Sequence, residues 1–128
     1  MGKLTTFQGE PITFVETMEV KEGVLCDVYT FDNTAEKDLA VVEVKAGFST
    51  PLQKILKGDT TIEELIDGEG VLMVTDSEGN KTEYHHTSDN HEPVEVKVGD
   101  IMQWTAKTDM FFTEICYPPY EDGRYENL

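Results

Sequence analysis

The chain has little positive charge, few cysteines and no long apolar run, and each shortage closes off a class of function. Lys and Arg number 10 against 26 Asp and Glu, giving a formal net charge of -16 and a pI near 4.3. Such a surface repels phosphate backbones and anionic lipid, so no nucleic acid and no membrane partner is expected. The excess acid reads as a solvated face that keeps the protein dispersed, not as a docking patch. The two cysteines, Cys26 and Cys116, lie far apart and lack the CxxC spacing of zinc and redox sites, which leaves buried reduced thiols. No stretch approaches the roughly 20 apolar residues that span a bilayer, and MGKLTTFQGEPITF holds no apolar signal core. A soluble cytoplasmic protein is the expectation. Met1-Gly2 with Thr6 fits a myristoylation signal and Asn80-Lys81-Thr82 a glycosylation sequon, but both patterns are short enough to arise by chance.

What is present favours strands. The 128 residues are 38% hydrophobic and include six Phe, five Tyr and one Trp, enough to bury one core without disulfide or metal staples, so residues 1–128 read as a single domain. From Ile12 onward the apolar segments are short, rich in Val, Ile, Thr, Phe and Tyr, and separated by turn residues. The pattern predicts strands over 12–16, 24–31, 39–45, 50–56, 62–66, 71–75, 81–86, 94–98, 101–104 and 110–117, an all-β sandwich or barrel. Residues 1–10 form an N-terminal arm. Pro118-Pro119 ends the last strand, and 120–128 is a polar C-terminal tail with Tyr120 and Tyr125 as packing anchors. Asp67-Gly68-Glu69-Gly70, set between two apolar runs, is a hairpin signal, as is the Asp76 to Asn80 loop. Thr60-Thr61-Ile62-Glu63 also satisfies a helix capping box, but Gly68 would end that helix after about two turns, so a strand is preferred.

Gly47, Thr50-Pro51, the run from Ile62 through Gly70 to Leu72, and Val96-Lys97-Val98-Gly99-Asp100 follow one another in an order that resembles the cupin superfamily. The closing Phe112-Thr113-Glu114-Ile115-Cys116-Tyr117-Pro118-Pro119 is similar to the last barrel strand of small single-domain cupins, and the resemblance covers residues 38–119. It implies a double-stranded β-helix, the jelly-roll barrel. The family's metal motifs place histidines at fixed spacings, which fall here on Gln53 and Ile55 counted from Gly47, or on Lys54 and Leu56 counted back from Gly68. The carboxylate position falls on Asp59 or Thr61, and the second motif, counted from Gly99, falls on Thr105, Lys107, Met110 and Glu114. No register supplies a histidine, so the resemblance implies a barrel without the usual metal, and no cofactor is expected. The three histidines present, His85, His86 and His91, lie near Asp89. Neighbours on a strand point to opposite faces, so His85 and His86 cannot readily ligate one ion, and surface or loop-edge roles are expected.

If Met110 points inward, as its counterpart does in the cupins it resembles, then Phe112, Glu114 and Cys116 share its face, and Phe111, Thr113 and Ile115 take the other. The same parity groups Thr61, Glu63 and Leu65. Gln53, Glu63, Met102, Trp104, Met110, Phe112 and Glu114 then make a mostly apolar pocket with a few converging polar groups, a common makeup for a small-molecule site. The plainer alternative is that Met102, Met110 and Phe112 fill the barrel and Trp104 packs between sheets or at an interface. Lys54 and Lys57, the nearest cations in sequence, either pair with Glu63 or Glu114 or stay in water.

Three functions compete. One is a metal-independent cupin-like protein binding a small neutral or weakly polar organic ligand. Another is a small isomerase, epimerase or lyase in which Glu63 or Glu114 is the acid or base. The third is a structural dimer with a vestigial pocket. A homodimer is expected in any case, since cupins commonly pair through edge strands and Ile12 to Val15 reads as one.

Overall fold

Twelve strands form in the computed structural model, which describes residues 3–128. They are β1 (Thr6–Phe7), β2 (Glu10–Lys21), β3 (Val24–Phe31), β4 (Asp38–Val44), β5 (Gln53–Ile55) and β6 (Thr60–Asp67), then β7 (Gly70–Thr75), β8 (Lys81–His86), β9 (Val94–Lys97), β10 (Ile101–Ala106), β11 (Met110–Tyr117) and β12 (Tyr125–Asn127). Met1 and Gly2, with the start of the expected arm and the Met-Gly pattern, lie outside the described residues. Two antiparallel sheets result, one in the order β1-β2-β3-β4-β11-β6-β9 and one in the order β12-β5-β10-β7-β8. This is an all-β jelly roll. No helix of the described residues is long and apolar enough to cross a membrane.

Every segment expected as a strand carries one, and the capping-box segment joins β6, where burial alternates residue by residue. Thr61, Glu63 and Leu65 are buried, while Thr60, Ile62 and Glu64 are less so, the period of a strand and not of a helix. The Asp67 to Gly70 turn differs from expectation. β6 pairs with β9 and β11, whereas β7 pairs with β8 and β10, so this turn is a corner carrying the chain from one sheet to the other, not a hairpin. Gly68 sits there at φ +88°, and a Cβ on it would collide with the Asp109 carbonyl and with Met110. The local Asp-Gly signal marks a reversal; which strands then pair is settled by distant residues. Asp76 to Asn80 does close a hairpin, from Thr75 to its partner Lys81, with Asp76 Oδ1 accepting the amides of Glu78 and Asn80.

The long strand β2 uses a bulge to serve two cores. Ile12 pairs with Phe31 and Phe14 with Tyr29, the register shifts at Val15, and Glu16 then faces Val28 and Met18 faces Cys26. Inserting one residue turns the following side chains to the opposite face of the sheet. Ile12 and Phe14 therefore pack outside with Tyr29, Phe31, Leu39 and Val41, where Leu4 and Phe7 of the arm also lie. Cys26, Val42, Leu65, Leu72, Trp104 and Phe112 belong instead to the larger core between the sheets.

Both chain ends are more structured than their composition predicts. The arm contributes β1, and the polar tail contributes β12, which pairs with β5 through Tyr125 with Ile55 and Asn127 with Gln53. Arg124, only 1% exposed, locks the tail down. Its Nη1 donates to the Pro118 carbonyl at 2.9 Å, and its Nη2 to the Thr60 carbonyl at 2.9 Å and Thr61 Oγ1 at 3.1 Å. A guanidinium matches several carbonyls at once, which is why a charged residue is buried in a tail that reads as polar. Substituting Arg124→Ala leaves these acceptors unpaired and is expected to destabilise the fold by roughly 2–3 kcal/mol. Urea unfolding measures this, and a midpoint equal to that of the unsubstituted protein would refute the anchoring role.

Candidate functional site

The inner face of the seven-stranded sheet is arranged in cross-strand rows. Val28, Ala40, Glu114 and Glu63 form one row over β3, β4, β11 and β6. Cys26, Val42, Phe112 and Leu65 form the next, and Asp38, Cys116 and Thr61 flank the first row on its other side. The expected parity of β11 thus holds: Met110 and Phe112 join the inner core, while Phe111 and Ile115 pack against the outer one.

Glu63 and Glu114 stand opposite each other on neighbouring strands, an arrangement in which like charges repel. Glu63 is completely buried. Trp104 Nε1 donates to its Oε1 at 2.9 Å, and its Oε2 has no hydrogen-bond partner. Burial first, and the Glu114 charge second, hold the Glu63 carboxyl well above the ordinary carboxylate range, against the smaller pull of the Trp104 hydrogen bond. Trp104 is itself clamped, stacked on Phe112 with ring centroids 4.9 Å apart.

Glu114 is held from the opposite side by the C-terminal strand. The Tyr125 hydroxyl donates to Glu114 Oε1 at 2.5 Å, and Cys116 Sγ lies 3.7 Å from the same oxygen. Burial and the adjacent Glu114 charge push the Tyr125 phenol and the Cys116 thiol upward, so both stay protonated as donors. Cys26, buried across the sheet, is pushed up to about 12 for the same two reasons. These thiols are packing groups and not nucleophiles.

A cavity of about 200 Å³ lies over this row. Ala40 opens it, because the smallest side chain of the row stands between Val28 and Glu114. Met18 and Val20, turned inward by the β2 bulge, and the partly exposed Tyr120 line its outer end. Its polar lining comes from Glu114, Asp38, Gln53, Thr50 and the hydroxyls of Tyr120 and Tyr125. Burial raises Asp38, against the amide of Tyr120 that donates to its carboxylate.

Of the residues the sequence groups into a pocket, Gln53, Phe112 and Glu114 line the cavity. Glu63 and Trp104 stand behind Glu114, joined to each other by their hydrogen bond. Met102 and Met110 are packed in the core away from the cavity. Met110 occupies the space beside Gly70, where a Cβ would collide with its Sδ. Neither Lys54 nor Lys57 pairs with Glu63 or Glu114; Lys57 lies 3.2 Å from Glu121. His86 corrects the surface expectation for the histidines, being 5% exposed and edge-on to Trp104, with its Nδ1 unpartnered. At the end of β8 and paired with Gly70 of β7, it faces the interior, and burial lowers its pKa. His85 and His91 are exposed beside Glu83 and Glu64. No group of three or more His, Cys, Asp or Glu among the described residues is placed to hold a metal ion. Tyr125, Asp38 and Ala40 were not legible as site residues. Tyr125 reads as an anchor, but nothing in its neighbourhood in sequence points to Glu114.

No protein-family model matches the chain, and no curated protein matches it. Solved structures do. The capsular polysaccharide assembling protein CapF from Staphylococcus aureus superposes with a TM-score of 0.70 at 18% identity, over 92% of this chain and 32% of that one. Oxalate decarboxylase from Bacillus subtilis gives 0.78 at 11% identity, over 100% of this chain and 33% of that one. CapF and oxalate decarboxylase are cupin-fold proteins. The chain has the cupin fold. Streptomyces PAC13, solved with uridine, superposes at a TM-score of 0.65 and 12% identity over 88% of this chain and 83% of its own length. The chain spans about a third of CapF and of oxalate decarboxylase, and identities this low show a shared cupin barrel and not a shared activity.

Glu63 makes stability depend on pH in a direction opposite to that of a salt-bridged acid. Below its ordinary value of 4.5 both folded and unfolded chains carry its proton. Above that value the unfolded chain releases the proton and the folded one retains it, so stability falls as pH rises until the buried carboxyl itself ionises. Glu63→Gln keeps an acceptor for Trp104 and removes the titration. Relative to the unsubstituted protein, E63Q is expected to gain stability as pH rises above about 5, at up to roughly 1.4 kcal/mol per unit. Parallel pH profiles in urea unfolding would show that Glu63 ionises as a solvated carboxyl does.

Proposed function

We propose that the chain is a metal-independent cupin-like protein that binds a small neutral or weakly polar organic ligand in its barrel. The observation that carries this reading is the cavity over Ala40, walled by apolar side chains with Glu114, Tyr125 and Gln53 converging on it. Concave, mostly apolar sites with a few fixed polar groups are where small molecules bind. Metal independence is supported by what occupies the family's histidine positions, Gln53, Ile55 and Met110, the last of them fitted against Gly70. The free, buried thiols of Cys26 and Cys116 suit a reducing compartment such as the cytoplasm.

The same reading includes a homodimer. β1 covers β2 only at Glu10 and Pro11, with Ile12 donating to the Thr5 carbonyl, so the outer edge of β2 beyond Ile12 is unpaired among the described residues. Val15, Met18 and Val20 are 50%, 39% and 41% exposed along it. A long unpaired edge with apolar side chains is a template for a second strand, and a partner there would also cover the outer end of the cavity. Light scattering is expected to give twice the 14.4 kDa of the chain; a monomer mass across the working concentration range would remove the dimer.

One observation favours a second reading, that of an enzyme. Two opposed carboxyls, one raised and sealed, the other held at a cavity, have the makings of an acid and base pair. Glu114→Gln separates the two readings, since loss of turnover with ligand binding retained indicates catalysis. For the binding reading, purified protein is expected to carry less than stoichiometric transition metal by elemental analysis, and an organic molecule in the cavity by native mass spectrometry. Stoichiometric iron, manganese, nickel or zinc would overturn it.

A further inference from the structure

Every charged side chain that lines the cavity is acidic, and the hydroxyls of Thr50 and Tyr120 add to its polar lining. Glu114 and Asp38 are carboxyl groups, and the Tyr125 hydroxyl spends its proton on Glu114, leaving its oxygen as an acceptor. Gln53 donates one of its amide hydrogens to Asn127 at 3.0 Å. No lysine, arginine or histidine of the described residues lines the space. The hydrogen bonds from Tyr125 and Cys116 both end on Glu114 Oε1, so neither commits the second oxygen. Around these groups the lining is apolar: Val24, Val28, Val42, Met18 and Phe112.

Resting on the barrel-binding reading above, we propose that the cavity selects a molecule with an apolar body and one hydrogen-bond-donating head, a hydroxyl or primary amine, seated with the head on Glu114 between Tyr125 and Asp38. Three heads compete for that position, and the lining ranks them. A carboxylate or phosphate would meet Glu114 and Asp38 with no cation to offset the repulsion. A purely apolar head would strip water from Glu114 and return no partner. A donor hydrogen-bonds to the carboxyl groups of Glu114 and Asp38, which Tyr125 and the Tyr120 amide orient. Size follows from volume: a cavity of roughly 150 Å³ holds benzene, so about 200 Å³ admits roughly seven to nine non-hydrogen atoms.

Four near-isosteric probes test this on the full chain: benzyl alcohol, benzylamine, toluene and benzoate, each titrated by ligand-observed NMR. Benzyl alcohol or benzylamine is expected to bind at least about tenfold more tightly than toluene, the scale of one hydrogen bond to a charged group, and benzoate not to bind. Toluene or benzoate binding as tightly as both donors would overturn the donor-head inference while leaving barrel binding intact. If none of the four binds, the inference fails together with the barrel reading. Two variants locate the effect. Ala40→Met fills the space over the row and is expected to abolish binding of every probe, whereas Glu114→Leu, which removes both acceptor oxygens, is expected to retain toluene and lose the preference for the donors. A preference unchanged in E114L would move the head group off Glu114 and overturn the assignment; unfolding curves like those of the unsubstituted protein establish that each variant is folded.

Discussion

Two carboxyl groups face each other inside the barrel, and most of the interior is arranged around keeping that tolerable. Glu63 and Glu114 are cross-strand partners of β6 and β11, a placement that costs free energy through like charge and desolvation together. Each is held by a different donor from a different part of the chain: Trp104 from β10 for Glu63, and Tyr125 from β12 for Glu114. Trp104 is steadied by Phe112 on one side and His86 on the other. Tyr125 is steadied by β12 pairing with β5 and by Arg124 beneath the Pro118 turn. The C-terminal strand is therefore part of the site, not an appendage to it.

The cavity exists because two small departures from regularity meet there. One is Ala40, a short side chain in a row otherwise filled by Val28, Glu114 and Glu63. The other is the bulge at Val15, which sends Met18 and Val20 inward after Ile12 and Phe14 have packed outward. A strand without the bulge would keep one set of side chains on one face along its whole length. The bulge lets β2 close the outer core with its first half and wall the cavity with its second.

The seven-stranded sheet buries side chains on both faces, which the arm makes possible. Leu4 and Phe7 lie over Tyr29, Phe31 and Val41 on the outside, while the inner face packs against the second sheet. What remains uncovered is the edge of β2, where apolar side chains and unpaired backbone coincide. Edge and cavity share Met18 and Val20.

Strand identity, inward and outward parity and the absence of histidine at the family's ligand positions were legible in the sequence, because each depends on residue type at short spacing. The alternation through Thr61, Glu63 and Leu65 and through Met110, Phe112 and Glu114 is a local consequence of the extended backbone. The pairing of strands is not local: Asp67-Gly68 announces a turn but not that it joins two sheets. Nor could composition show that the polar tail buries Arg124, or that His86 lies against Trp104, since each depends on partners some 18 to 64 residues away. The sequence by itself determined an all-β fold, resembling a cupin, with Glu63 and Glu114 as candidate interior carboxyls. Only the tertiary structure decided what that pair faces, by bringing Tyr125 from the chain's end and Asp38 and Ala40 from β4 to the same few ångströms, since a site is made of contacts and contacts across a barrel have no fixed spacing along the chain.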